Sequence, residues 1–250
     1  MTHLSLSDWP LPDRARIHGV LTDIDDTLTT EGAITPDALQ ALADLKAAGL
    51  VVIPITGRPI GWCEPFMAGP AGSTWPVDAM VAENGAVGLQ HSATWGLRKL
   101  YQQDATTRTA NFARMQQVLA QIERSVPGAQ RSRDSAGRET DIAIDHSEFA
   151  HLGAADIERV VQLMKGEGLN ATVSSIHING WIGDHDKLAG ARWIVQSRLG
   201  RALDGELDHW VYVGDSTNDA RMFDHFPHSV GVANVARFWN ALAHHPRYVA

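Results

Sequence analysis

Three carboxylates fall within four positions at Asp23-Ile24-Asp25-Asp26, and Thr27-Leu28-Thr29 follows them directly. Like charges this close repel, and the apolar residues before them leave little room for solvent, so the arrangement is costly unless a cation or a proton relieves it. Mg2+ suits the role, because it takes oxygen ligands and binds through one or two carboxylates, waters and a substrate phosphate. Three further groups carry compatible chemistry. Thr56-Gly57-Arg58 offers a hydroxyl and backbone N–H groups to phosphate oxygens, with a glycine that permits close approach. Lys187, one of four lysines in the chain, stands where its ammonium could meet a phosphoryl oxygen. Gly214-Asp215-Ser216-Thr217-Asn218-Asp219 adds two more carboxylates and an amide. Singly, each has a bland reading: an acidic turn, an ordinary loop, a surface lysine.

The elements that must position these groups are legible around them. Apolar runs at 17–22 and 50–55 end in the Asp23 cluster and in Thr56, as buried strands do. Between them Thr35-Pro36 starts a helix, Leu39, Leu42 and Leu45 follow at helical spacing, and Gly49 closes it. Further strands are expected at 79–82, 209–213 and 229–233, and helices at 187–199 and 219–226. This predicts an α/β core with a Rossmann-like parallel sheet, built from 1–85 and 185–250. The middle has another rhythm: Phe112, Met115, Leu119, Ile122 and Val126 form one helical stripe, and Ile157, Val160, Val161 and Met164 another. Strands are expected at 94–101, 140–145 and 171–178, the second alternating as a half-exposed strand should. We read 86–184 as an inserted α+β cap, with the polar stretch 131–139 as a solvated loop.

The bulk numbers narrow the function. With 250 residues, 44% of them hydrophobic, the chain can bury a sizeable core. A net charge of −8 gives no general attraction to nucleic acid or anionic lipid, so neither nucleic acid nor membrane is expected as a partner. The single cysteine, Cys63, excludes an internal disulfide and fits a reducing compartment. The first residues lack a basic segment followed by an apolar run, and no run of about eighteen apolar residues occurs, so the expected location is the cytoplasm.

Taken in order, the four groups resemble the motifs of the haloacid dehalogenase superfamily of phosphohydrolases: Asp23, Asp25 and Thr27 for the first, Thr56 for the second, Lys187 for the third, and Gly214, Asp215, Asn218 and Asp219 for the fourth. The wide gap between Arg58 and Lys187 is similar to that of members with a large α+β cap there, a group that includes Cof-like sugar phosphatases, sucrose-phosphate phosphatase and mannosyl-phosphoglycerate phosphatase. Glu83-Asn84-Gly85-Ala86 and Gly231-Val232-Ala233-Asn234 also resemble sequences of that group.

The resemblance implies a phosphatase acting on a small phosphorylated metabolite, a sugar or glycosyl phosphate. Asp23 would attack phosphorus, and Asp25 would protonate the leaving alcohol and later activate water. Asp23, Asp25 through its backbone carbonyl, Asp215 and Asp219 would surround Mg2+, with Asp219 a ligand or an outer acceptor. Thr56, Gly57, Lys187 and Asn218 would hold the phosphoryl oxygens; Arg58 would join them or pair with a carboxylate. In the cap, His177, Asn179 and Trp181 share one strand face, so all three are expected to line the site or all three to face away. Three other readings share parts of this pattern: a phosphomutase of the same fold, a metal-free dehalogenase, and a non-enzymatic phospho-accepting receiver.

Overall fold

The computed structural model describes residues 4–70 and 72–250. It begins with β1 (Leu4–Ser5), α1 (Leu11–Arg14), β2 (Gly19–Thr22), a small hairpin of β3 (Thr29–Thr30) and β4 (Ala33–Ile34), α2 (Pro36–Ala47), β5 (Val51–Pro54) and α3 (Ile60–Ala68). Then come β6 (Met80–Ala82), β7 (Val87–Ser92) and β8 (Gly96–Tyr101). A second layer follows: α4 (Ala105–Ser125), β9 (Gln130–Arg131), β10 (Asp141–Asp145), α5 (Ala154–Gly166), β11 (Asn170–Val173) and β12 (His177–Trp181). The chain closes with α6 (Lys187–Leu199), β13 (Trp210–Gly214), α7 (Ala220–His225), β14 (His228–Gly231) and β15 (Tyr248–Val249).

The main sheet has the order β1-β15-β14-β13-β2-β5, and every pair is parallel. Its inner strands are apolar on both faces because both are covered. Leu21, Ile53 and Tyr212 pack under Ile194 and Val195 of α6 and Met222 and Phe223 of α7. On the opposite side Val52 meets Leu42 of α2 and Ile60 of α3, while Val20, Val211 and Val230 meet Trp9. Gly19 is required by this packing: it pairs with Trp210, and a Cβ there would lie 2.4 Å from the indole ring. The expected helix at α2 forms as its caps dictate, with Thr35 Oγ1 accepting from Ala38 N at 3.3 Å and Gly49 in the left-handed region at φ +82°.

The second layer is a four-stranded sheet, β11-β12-β10-β9, antiparallel throughout. Ile142, Ile144 and Ile178 face Met115, Leu119 and Ile122 of α4 and Val160 and Met164 of α5. Each such buried side chain contributes about 1.5–3 kcal/mol, against about 0–1 kcal/mol for an exposed ion pair, so this layer has a core of its own.

Four expectations are corrected. The stretch 171–178 is not one strand: Ser174 turns it, its hydroxyl accepting from His177 N at 3.1 Å, so that β11 and β12 form a hairpin. The strand at 94–101 does not pair with the strands around α4 and α5: β7 and β8 extend β6, and Leu100 packs against the α6 side. The alternation of β10 is real, yet all five residues are buried, since its polar face is covered by protein: Asp141 meets Arg138 and Asn179, and Asp145 accepts from backbone N–H groups of 147–150. For the same reason the stretch 131–139 is not a solvated loop: Ser132 and Arg138 are buried, and Arg138 Nη1 donates to the Gly57 carbonyl at 3.0 Å.

Candidate active site

The C-terminal ends of neighbouring strands β2 and β13 bring the first and fourth motifs together. Asp23 follows β2, pinned by its N–H to Val213 O at 2.8 Å, and Asp215 follows β13. Gly214 is needed here: a Cβ would meet the Asp219 carboxylate at 2.5 Å, because that carboxylate folds back to accept from Asp215 N at 3.0 Å and Ser216 N at 3.2 Å. Lys187, at the first turn of α6, is buried, not on the surface. Its Nζ lies 2.9 Å from Asp23 Oδ2 and 2.7 Å from Asp219 Oδ1.

One ammonium among three buried carboxylates does not balance them. Burial, with the charges of Asp219 and Asp25 overcoming the pull of Lys187, pushes Asp23 up to about 7. Burial and the charges of Asp23 and Asp219 push Asp215 up to about 9. Lys187 is shifted the other way: burial alone would depress it, but Asp219 and Asp23 hold it well above its usual range. Asp23, Asp215 and Asp219 can each offer an oxygen within 4.8 Å of the others, and Asp215 Oδ2 has no hydrogen-bond partner among the described residues. Hard oxygen donors, excess negative charge and an orphan carboxylate oxygen fit a divalent cation such as Mg2+. Asp219 is the least free of the three, since it also accepts from Lys187 and from the Tyr212 hydroxyl.

Thr56 and Gly57 sit beside this corner at the end of β5. Thr56 is fully buried, its N–H bonded to Val81 O and its hydroxyl accepting from Arg58 N at 2.9 Å. Asn218 lies in the loop before α7, with Oδ1 accepting from Ser216 Oγ at 2.9 Å. Arg58 takes the carboxylate alternative. Its Nε is 2.9 and 3.1 Å from the two Asp25 oxygens, and its terminal nitrogens reach Asp134 at 3.2 Å and Glu148 at 2.7 Å from the cap. The Asp25 side chain, expected to be free for proton transfer, is therefore paired. Burial raises its pKa and Arg58 opposes that rise. Asp25 is not in the three-carboxylate group.

The three cap residues are all buried, with different partners. His177 Nε2 is 3.0 Å from Glu148 Oε2, and Asn179 Nδ2 donates to Gly57 O at 3.2 Å and Asp141 Oδ2 at 2.9 Å, so both face the core. Trp181, at the strand end, joins the cap's apolar cluster, stacks on His185 and donates Nε1 to its carbonyl. Cys63 is buried and its thiol is raised by that burial, as a packed residue should be.

Residues 20–127 match the family model of haloacid dehalogenase-like hydrolases. The chain has the haloacid dehalogenase-like fold. Solved structures similar to it include a Thermoplasma acidophilum protein (17% identity, TM-score 0.66, 94% of this chain and 91% of that one). Another is the Synechocystis sucrose-phosphatase in complex with sucrose and phosphate (16%, TM-score 0.63, 93% and 91%). A third is a trehalose-6-phosphate phosphatase related protein (17%, TM-score 0.59, 93% and 91%). No curated protein matches the sequence.

Several site residues on this fold escaped sequence reasoning. Glu83 and Asn84, read only as part of a resembling tetrapeptide, are consecutive residues in the left-handed region, at φ 50° and 54°. That costs about 1–3 kcal/mol each, and the buried Glu83 carboxylate offsets it by accepting from Ile60 N at 3.0 Å, Glu139 N at 3.1 Å and the Thr140 N–H and hydroxyl. One side chain thus ties α3 to the cap. Asp134, Arg138, Asp141 and Glu148 were missed because nothing in their local sequence separates a buried ionic seam from a charged loop.

Proposed function

We propose that this chain is a Mg2+-dependent phosphatase of a small phosphomonoester, a sugar or glycosyl phosphate, acting through an aspartyl-phosphate on Asp23. The observation that carries the reading is the corner in which Lys187 bridges Asp23 and Asp219 while Asp215 stands beside them with an orphan oxygen. Bound there, Mg2+ would neutralise the carboxylates and screen their repulsion of an incoming phosphate. Asp23 and Asp215 would be its carboxylate ligands, with the Asp25 carbonyl completing the set. Asp219 holds Lys187 and the β13 loop in place.

In this reading Asp23 supplies the attacking oxygen, and the leaving alkoxide takes a proton from Asp25, which then deprotonates the water that opens the acyl phosphate. Asp25 must exchange part of its pairing with Arg58 for the leaving oxygen, and the cap carboxylates Asp134 and Glu148 can retain the guanidinium meanwhile. Lys187, the Gly57 N–H, Thr56 and Asn218 surround the phosphoryl oxygens as charge spreads over them. A sugar leaving group is favoured by the likeness to a sucrose-phosphatase. A screen for free phosphate release over sugar phosphates with Mg2+ tests the reading. Asp23→Asn should lower kcat by about 10^4-fold or more; an Asp23→Asn variant as active as the wild type removes the nucleophile assignment.

A further inference from the structure

We propose that the side-chain amide of Asn84 is a further phosphoryl-binding group, donating from Nδ2 to an oxygen of the phosphate held beside Gly57 and Lys187; this rests on the phosphatase reading of the same corner. Asn84 is 2% exposed, and its Nδ2 has no hydrogen-bond partner among the described residues. A buried amide N–H without an acceptor is costly, and one retained in a folded protein calls for a ligand or a strained purpose. Its surroundings point to a ligand. Asn84 lines a cavity of about 500 Å3 together with Lys187, Thr217 and Asn218, next to the carboxylate corner, whose Asp23, Asp215 and Asp219 do not line it.

The backbone aims the donor. Asn84 N donates to Thr56 O at 3.0 Å, and the left-handed conformation places its amide over Gly57: a Cβ added there would lie 3.2 Å from Asn84 Oδ1 and 3.3 Å from Nδ2. Asn179 Oδ1 would lie as close, at 3.2 Å, so two amides crowd the space over Gly57. The neighbouring amide of Asn179 cannot play the same part, since its Nδ2 is committed to Gly57 O and Asp141. An anionic oxygen at the cavity wall would give Asn84 the acceptor it lacks, and a neutral donor there adds to Lys187 without disturbing the charge balance of the carboxylates.

Two variants test this. Asn84→Gly keeps a backbone that tolerates positive φ and deletes the amide; Asn84→Asp keeps shape and backbone preference but turns a carboxylate toward the phosphate. The probe is inorganic phosphate, titrated calorimetrically with Mg2+ present, with KM and kcat measured on p-nitrophenyl phosphate and folding checked by thermal melting. Phosphate affinity should fall about ten- to a hundredfold in Asn84→Gly and further in Asn84→Asp, with kcat/KM falling in parallel. If Asn84→Gly does not fold, Asn84→Asp decides. Should folded variants bind phosphate within about twofold of an active wild type, the Asn84 assignment is wrong while the phosphatase reading stands; should the wild type itself neither bind nor release phosphate, both fall.

Discussion

Two buried ionic regions lie side by side in this molecule, and they are unlike. In the corner at the ends of β2 and β13, Asp23, Asp215 and Asp219 share one ammonium, and burial with mutual repulsion lifts Asp23 to about 7 and Asp215 to about 9. Along the seam between core and cap, two arginines serve the carboxylates. Burial would raise Asp134, but Arg138, His177 and Arg58 bring it down to about 2, and His177 and Arg58 likewise hold Glu148 below its ordinary range. Most seam carboxylates are paired in this way, although burial and the charge of Glu83 push Asp141 up to about 7 against the pull of Arg138. The corner is short of positive charge, which is the electrostatic signature of a place made for a cation and a phosphate.

The comparison breaks most sharply at Asp215. Replacing it with Asn removes the orphan oxygen, and Mg2+ affinity should fall by at least about a hundredfold with phosphate release falling alongside, as metal titration followed by calorimetry would read; outer-shell partners alone are worth about 10–100-fold. Unchanged Mg2+ binding would show that the corner is not the cation site. Next in size is the seam. Arg58→Ala leaves the buried carboxylate of Asp25 beside the half-buried carboxylates of Asp134 and Glu148, and should cost about 3 kcal/mol in chemical denaturation.

A third prediction concerns pH, and Asp141 of the seam, at about 7, adds to it with the same sign as the corner. In the metal-free chain the corner carboxylates have folded values of about 7 and about 9 against an ordinary 3.8, so across that interval the folded state binds more protons than the unfolded one and stability falls as pH rises. Asp134 has the opposite sign: its contribution is present above about 3.8 and is lost as pH falls toward about 2. The melting temperature without metal should therefore decline between about pH 5 and about pH 9, and Mg2+ should raise it most at the alkaline end. A flat profile would place the raised carboxylates elsewhere. The smallest effect is expected of Glu148→Gln, about 1 kcal/mol, because the amide can still meet Arg58 and His177 while Asp25 and Asp134 keep the guanidinium.

How much of this was legible follows from range. The parallel strands, α2 and α6 announce themselves through contiguous apolar runs and caps, because neighbours along the chain create those signals. The hairpin β11–β12 was read as one strand because Ser174 is weak punctuation beside a glycine or proline. Buried Lys187 was indistinguishable from a surface lysine, since its burial comes from Asp23 and Asp219, far away in sequence.

The sequence by itself determined the α/β core, the order of the four chemical groups and their places at strand ends and at a helix start, because strand, turn and helix signals are local. Only the tertiary structure decided which of the charges are spent on holding the cap and which remain unbalanced. The polar face of β10, the arginines of the seam and the amide of Asn84 owe their environment to contacts across the core and cap, where burial raises the cost of every unpaired polar group.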